Sequence, residues 1–206
     1  MTTLTDAIFS QLSRADVQQI GSQLGTGQAQ TAGAIAAALP MILGAMGRNT
    51  AQPQGAEALL GALGRDHAGA GGIGDILGAV LGGQQGRQTD GLGQLGHIFG
   101  GQQPRAEAGL GQATGLGGDK AQMLLKILAP IVLAYLAKHM FGSGQQRGDG
   151  SAQALGNILG QERAVQQQQG GLGGGLLGAV LDQDGDGELG LGDLLKMGGS
   201  FLGGGR

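Results

Sequence analysis

Residues 123–140 read MLLKILAPIVLAYLAKHM, and residues 32–46 read AGAIAAALPMILGAM. Leu, Ile, Ala and Met fill both stretches with little alternation of apolar and polar residues, so both are read as helices rather than strands. Pro40 and Pro130 sit inside them. Each proline removes a helical hydrogen bond to the residue four before it, Ala36 or Lys126, which predicts a kink or a helix break at both places. Lys126 and Lys138 bracket an uncharged stretch of only eleven residues, 127–137. A membrane span needs about 20, so buried core helices are expected here.

Working outward, the chain matches itself at an offset of 90. Ile8-Phe9 falls on Ile98-Phe99, Gly25 and Gly27 fall on Gly115 and Gly117, and Pro40 falls on Pro130, with no gap over that span. A second echo lies at an offset of 100, where LGAVL at residues 77–81 recurs at 177–181. Self-similarity at a fixed offset is the mark of a duplicated unit. The expected fold is mainly α: a duplicated helical module with Pro-interrupted apolar helices and Gly-rich linkers. Three regions are expected: residues 1–90 as the first helical repeat with its Gly-rich arm, 91–142 as the second repeat, and 143–206 as a Gly/Gln-rich arm.

At the N-terminal end, residues 6–21 carry Ile8, Leu12, Val17 and Ile20 on one helical stripe, with Thr5 or Asp6 as the cap. GDILGAVLGG (74–83) and SAQALGNILG (151–160) read as short helices or flexible arms. GRDHAGAGG (64–72), GSGQQRGDG (142–150) and QQQQGGLGGG (166–175) read as linkers or frayed loops.

Composition narrows the function classes. The 206 residues include 48 Gly, 4 Pro, no Cys, no Trp and five Phe plus Tyr, yet 40% are hydrophobic, which argues against wholesale disorder. Without large rings the core must be filled by Leu, Ile, Val, Ala and Met. Twelve basic residues against fifteen acidic ones leave a net charge of −3, and the basic residues are scattered singly, so no electropositive stripe for nucleic acid is expected. No thiolate metal site, disulfide or Cys nucleophile exists. The opening MTTLTDAIFSQLSRAD has neither a basic n-region nor an apolar h-region, so no secretory signal is read and a cytoplasmic location is expected.

One segment speaks of chemistry: LDQDGDGELGLGDLL, residues 181–195. As a twelve-residue calcium loop it places Asp182 at position 1, Asp184 at 3, Asp186 at 5, Gly187 at the sharp turn, Glu188 at the backbone-carbonyl position 7, Leu189 at the apolar anchor 8 and Asp193 at 12. Alternate residues of such a loop point inward, so the carboxylates wrap a hard cation in oxygen. Five of the fifteen acidic residues fall in these twelve positions. A DxDxDG run should arise by chance only ~0.01 times in a chain of this composition, so the match is specific. Departures from the EF-hand pattern are Asp193 in place of Glu at position 12, Gly190 at position 9, and a single loop where such loops usually pair. They predict weak affinity, micromolar to millimolar.

Other motifs fare badly. GxGxxG occurs at 69–74 and 91–96 among other places, but ~2.5 chance matches are expected at this glycine content, and neither of these two follows a strand. His67, His97 and His139 are far apart, with no HxxxH and no Cys companion. Surface or helix-end placement is expected for them, and His139 suits a helix C-terminus. GxSxG, Walker A and zincin patterns are missing from the sequence, so no enzyme is expected.

LGHIFGG (95–101), LLKILAPIVLAYL (124–136) and DQDGDG (182–187) together resemble the bacterial family called domain of unknown function 937. The resemblance implies a bacterial, largely helical protein without an assigned activity, often with an acidic loop at the C-terminus, and it carries over no catalytic residue. The loop alone is also similar to the dockerin type, in which calcium orders a structural loop. The expected function is thus a non-enzymatic protein that binds one calcium ion at Asp182, Asp184, Asp186, Glu188 and Asp193 to order its C-terminal region for interaction. Apolar helices nearly uniform around their circumference further predict a homo-oligomer or a protein partner. The alternative is a membrane-surface or pore-associated protein that uses the two Pro-containing helices.

Overall fold

A computed structural model of the chain describes residues 3–67, 72–84, 86, 88–142 and 151–168. Met1–Arg163 form one unit with its own packing. Its elements are α1 (Leu4–Gln11), α2 (Arg14–Leu24), α3 (Gln28–Asn49), α4 (Pro53–Ala62), a π-turn (Leu63–His67), α5 (Ile73–Leu81), α6 (Gly91–Phe99), a 3₁₀ turn (Gly100–Gln102), α7 (Gln103–Thr114), α8 (Gly118–Phe141) and α9 (Ala152–Gln168). The protein is mainly α, with no strand among the described residues.

The single N-terminal helix expected over 6–21 is two helices. Thr3, rather than Thr5 or Asp6, caps α1: its hydroxyl accepts from the Asp6 amide while the Asp6 carboxylate accepts from the Thr3 amide. Ser13 and Asp16 form the same reciprocal box at the start of α2 and so break the helix between them. The apolar stripe survives the break, since Ile8, Leu12, Val17 and Ile20 are all buried.

The prolines do not break their helices. α3 runs through Pro40 and α8 through Pro130. Each proline frees the carbonyl of the residue four before it, and Ala36 and Lys126 both lie on exposed positions. Each helix nonetheless continues beyond its proline. In α8 the Lys126 carbonyl also has a neighbour, for Gly91 at the start of α6 lies directly against it, with no room for a Cβ. That makes 91–96 part of a helix packed on a helix, not a phosphate-cradling loop.

The offset-90 register is kept in three dimensions. α2 and α3 correspond to α7 and α8, and the helix-ending Gly25 and Gly115 both adopt the left-handed conformation, with φ of 61° and 67°. Glycine reaches that region without the Cβ clash that any other residue meets. A further correspondence joins α4 with its π-turn to α9: AEALLGALGRD (56–66) aligns with AQALGNILGQE (152–162), and Leu63 and Leu159 are both fully buried. These fourth elements cross over. The π-turn of the first half packs against α8 of the second, while α9 lies against Gly47 of α3 and reaches α1. The stretch 64–67, expected as linker, is therefore packed structure.

One hydrophobic cluster extends from Ile8 to Leu159, with α8 at its centre against α2, α3, α5, α6, α7 and the π-turn. Both long helices, 22 and 24 residues, are apolar and long enough to cross a membrane. Their most apolar windows are 50% and 72% buried within the chain. Most of the apolar window of α8 is thus covered from within.

Candidate functional site

The five carboxylates of the expected calcium loop, Asp182, Asp184, Asp186, Glu188 and Asp193, lie outside the described residues. Among the described residues no three His, Asp or Glu side chains come together as a metal-holding group. The histidines sit on three separate elements: His67 ends the π-turn, His97 is exposed on α6, and His139 stacks on Tyr135 one turn before it in α8. Their ring centroids are 6.3 Å apart and the planes 10° from parallel. Burial raises the Tyr135 phenol above its ordinary value of 10.0.

Glu162, on α9, is the buried carboxylate of the described chain, with only 5% of its surface exposed. One oxygen accepts from the Leu4 amide at 2.8 Å; the other accepts from the Thr5 amide at 3.2 Å and the Thr5 hydroxyl at 2.6 Å. Leu4 and Thr5 are the first residues of α1, where the amides have no partner inside the helix and the dipole favours an anion. An acid here is therefore a clasp that fastens α9 to α1. Its signal in the sequence is spacing: Leu155, Leu159 and Glu162 follow the i, i+4, i+7 pattern, which puts the carboxylate on the buried stripe. A second clasp joins the halves. The Asn49 amide donates to the carbonyls of His97 at 3.1 Å and Ile98 at 2.8 Å, which closes the end of α6.

An open cavity of about 400 Å³ lies between the π-turn, α5 and the stretch that holds Gln84, Gly86, Gln88 and Thr89, with Arg65, Asp66, Ile76 and Ala79 also in its lining. π-turns inside helices recur at functional sites. This one offers a guanidinium, a carboxylate and amides over an apolar floor. Its described lining residues have hydrogen-bonding capacity, and among them is no Ser, Cys or His.

A family described as a bacterial protein of unknown function, DUF937, matches residues 6–139, which takes in most of α1 and all of α2 to α7 with nearly all of α8. No curated protein and no solved structure matches the chain. The match covers well over half of the sequence and both Pro-containing helices, so the chain belongs to the DUF937 family of bacterial proteins.

Proposed function

We propose that this family member is a non-enzymatic cytoplasmic protein that binds one calcium ion through Asp182, Asp184, Asp186, Glu188 and Asp193 and uses it to order its C-terminal region for contact with a protein partner or with further copies of itself. The observation that carries the reading is the loop's spacing, with carboxylates at positions 1, 3, 5, 7 and 12 and the turn glycine at 6. Calcium is the cation this donor set suits: all-oxygen, flexible and rich in negative charge. Membrane association through α3 and α8 is the weaker reading, because 72% of the apolar window of α8 is already buried.

Calorimetric titration of the whole chain with calcium tests the proposal. The wild type should bind one ion with Kd between about 10⁻⁶ and 10⁻³ M, and Asp184→Ala should weaken binding at least about tenfold. Equal binding by both proteins, or no heat at millimolar calcium, overturns it. Flotation with liposomes, with and without calcium, should leave the protein in the unbound fraction.

A further inference from the structure

Two aligned stretches of the chain are wound differently. Residues 152–162 of α9 are plain α-helix, and Glu162 is engaged there in the closed clasp to α1. The aligned residues of the first half leave the α-helix at Leu63 for the π-turn Leu63–His67. Leu63 stays in the core as fully as Leu159 does, but Arg65 and Asp66, aligned with Gln161 and Glu162, line the open cavity. A π-turn takes one residue more per turn, so it re-aims the side chains within and beyond it, and such turns collect at functional sites. The position that closes a packing contact in one half opens on a cavity in the other.

The described lining is chemically divided. Ile76, 4% exposed, and Ala79 give an apolar floor. Another wall is held in shape by Thr89, whose hydroxyl donates to the carbonyls of Gln84 at 2.5 Å and Gly86 at 3.1 Å while its amide donates to Gly86 at 3.0 Å. Arg65 and Asp66 bring one positive and one negative group to the same cavity. A guanidinium takes a carboxylate through two parallel N–H bonds. An ionised carboxylate has about four acceptor sites, enough to take an ammonium beside any other donor. A lone anion would meet the Asp66 carboxylate and a lone cation the Arg65 guanidinium, so the ligand that suits both carries both charges. At about 400 Å³ the cavity is near the lower end of small-molecule sites, which run from about 300 to 1,000 Å³. We propose that it binds a free α-amino acid with an apolar side chain, the carboxylate on Arg65, the ammonium on Asp66 and the side chain over Ile76 and Ala79. A peptide holds those two charges at opposite ends of its chain and cannot present both from one residue. The proposal needs no calcium and is independent of the acidic segment 181–195.

Methyl NMR of the full chain titrated with leucine tests it. The methyl groups of Ile76, Ala79 and Thr89 should shift saturably, with Kd between about 10⁻⁴ and 10⁻² M for a ligand of about nine heavy atoms. Those of Ile8 and Ile35, buried and outside the lining, should stay unmoved. Leucinamide, which lacks the carboxylate, and 4-methylpentanoate, which lacks the ammonium, should each bind at least about threefold more weakly. Arg65→Gln, which matches the residue at the aligned position 161, and Asp66→Asn should weaken leucine binding by a similar factor, with unchanged circular dichroism showing that the fold is kept. No saturable shift at Ile76 and Ala79 up to about 50 mM leucine overturns the proposal. Equal binding of the three ligands by the wild type overturns it too, and that comparison needs no variant, so a substitution that fails to fold leaves the test decisive. Folded variants that bind leucine as tightly as the wild type also overturn it.

Discussion

Replacing Glu162 with alanine should remove the acceptor for three donors at once: the amides of Leu4 and Thr5 and the Thr5 hydroxyl. Hydrogen bonds to a charged group contribute about 1.5–3 kcal/mol each when broken singly. A favourable, partly buried charge–dipole contact adds up to about 2 kcal/mol. Against these stands the relief of no longer burying a carboxylate, and water will reach part of the vacated helix end. The net loss should be about 2–3 kcal/mol at pH 7. For a domain of this size that is a fall in Tm of about 4–12 °C, read by far-UV circular dichroism. Glu162→Gln keeps the shape and one carbonyl oxygen but not the charge, so it should lose about half as much. Thr5→Val combined with Glu162→Ala closes a double-mutant cycle with an expected coupling of about 1 kcal/mol. A loss below about 0.5 kcal/mol for Glu162→Ala, or a cycle that sums to zero, would show that the clasp does not hold α9 to α1.

Two further outcomes follow from the packing and from burial. Gly91→Ala should destabilise by about 1–3 kcal/mol because its Cβ is driven into the Lys126 carbonyl, whereas Gly96→Ala, five residues on in the same helix with open space around its Cβ, should stabilise by about 0.5–1 kcal/mol; urea titration of both variants separates contact from propensity. The chain has one tyrosine, so the phenolate absorbance reports Tyr135 alone, and its midpoint should lie above 10.0 in the folded protein and return to 10.0 in urea. Because the folded value is the raised one, this group's contribution is fully present below pH 10.0 and lost as pH climbs through the folded midpoint.

Local rules took the sequence reading a long way and then stopped for identifiable reasons. The stripe Ile8, Leu12, Val17, Ile20 and the offset-90 register are properties of periodicity, and both survive in the fold. The division of the first helix was also written locally, as the Ser13-x-x-Asp16 box, but the continuing apolar stripe masks it. Whether a proline kinks or breaks its helix depends on the helices packed around it, so the sequence leaves both outcomes open, and α3 and α8 run through Pro40 and Pro130. The Glu162 clasp joins residues 157 and 158 positions apart, beyond any window of pattern reading. The acidic segment 181–195 is the reverse case: its five carboxylates are plain in the sequence and fall outside the described residues.

The crossing of the fourth elements also sets an order of events at the ribosome. The start of α1 leaves with two amides whose acceptor, Glu162, is synthesised more than 150 residues later. At about 5–20 residues per second the delay is roughly 8–30 s. The start of α1 therefore waits, its first amides without this acceptor, until residue 162 has been made. Nascent chains stalled before and after residue 162 should differ in protease resistance at α1, a late gain of order at the oldest end of the chain.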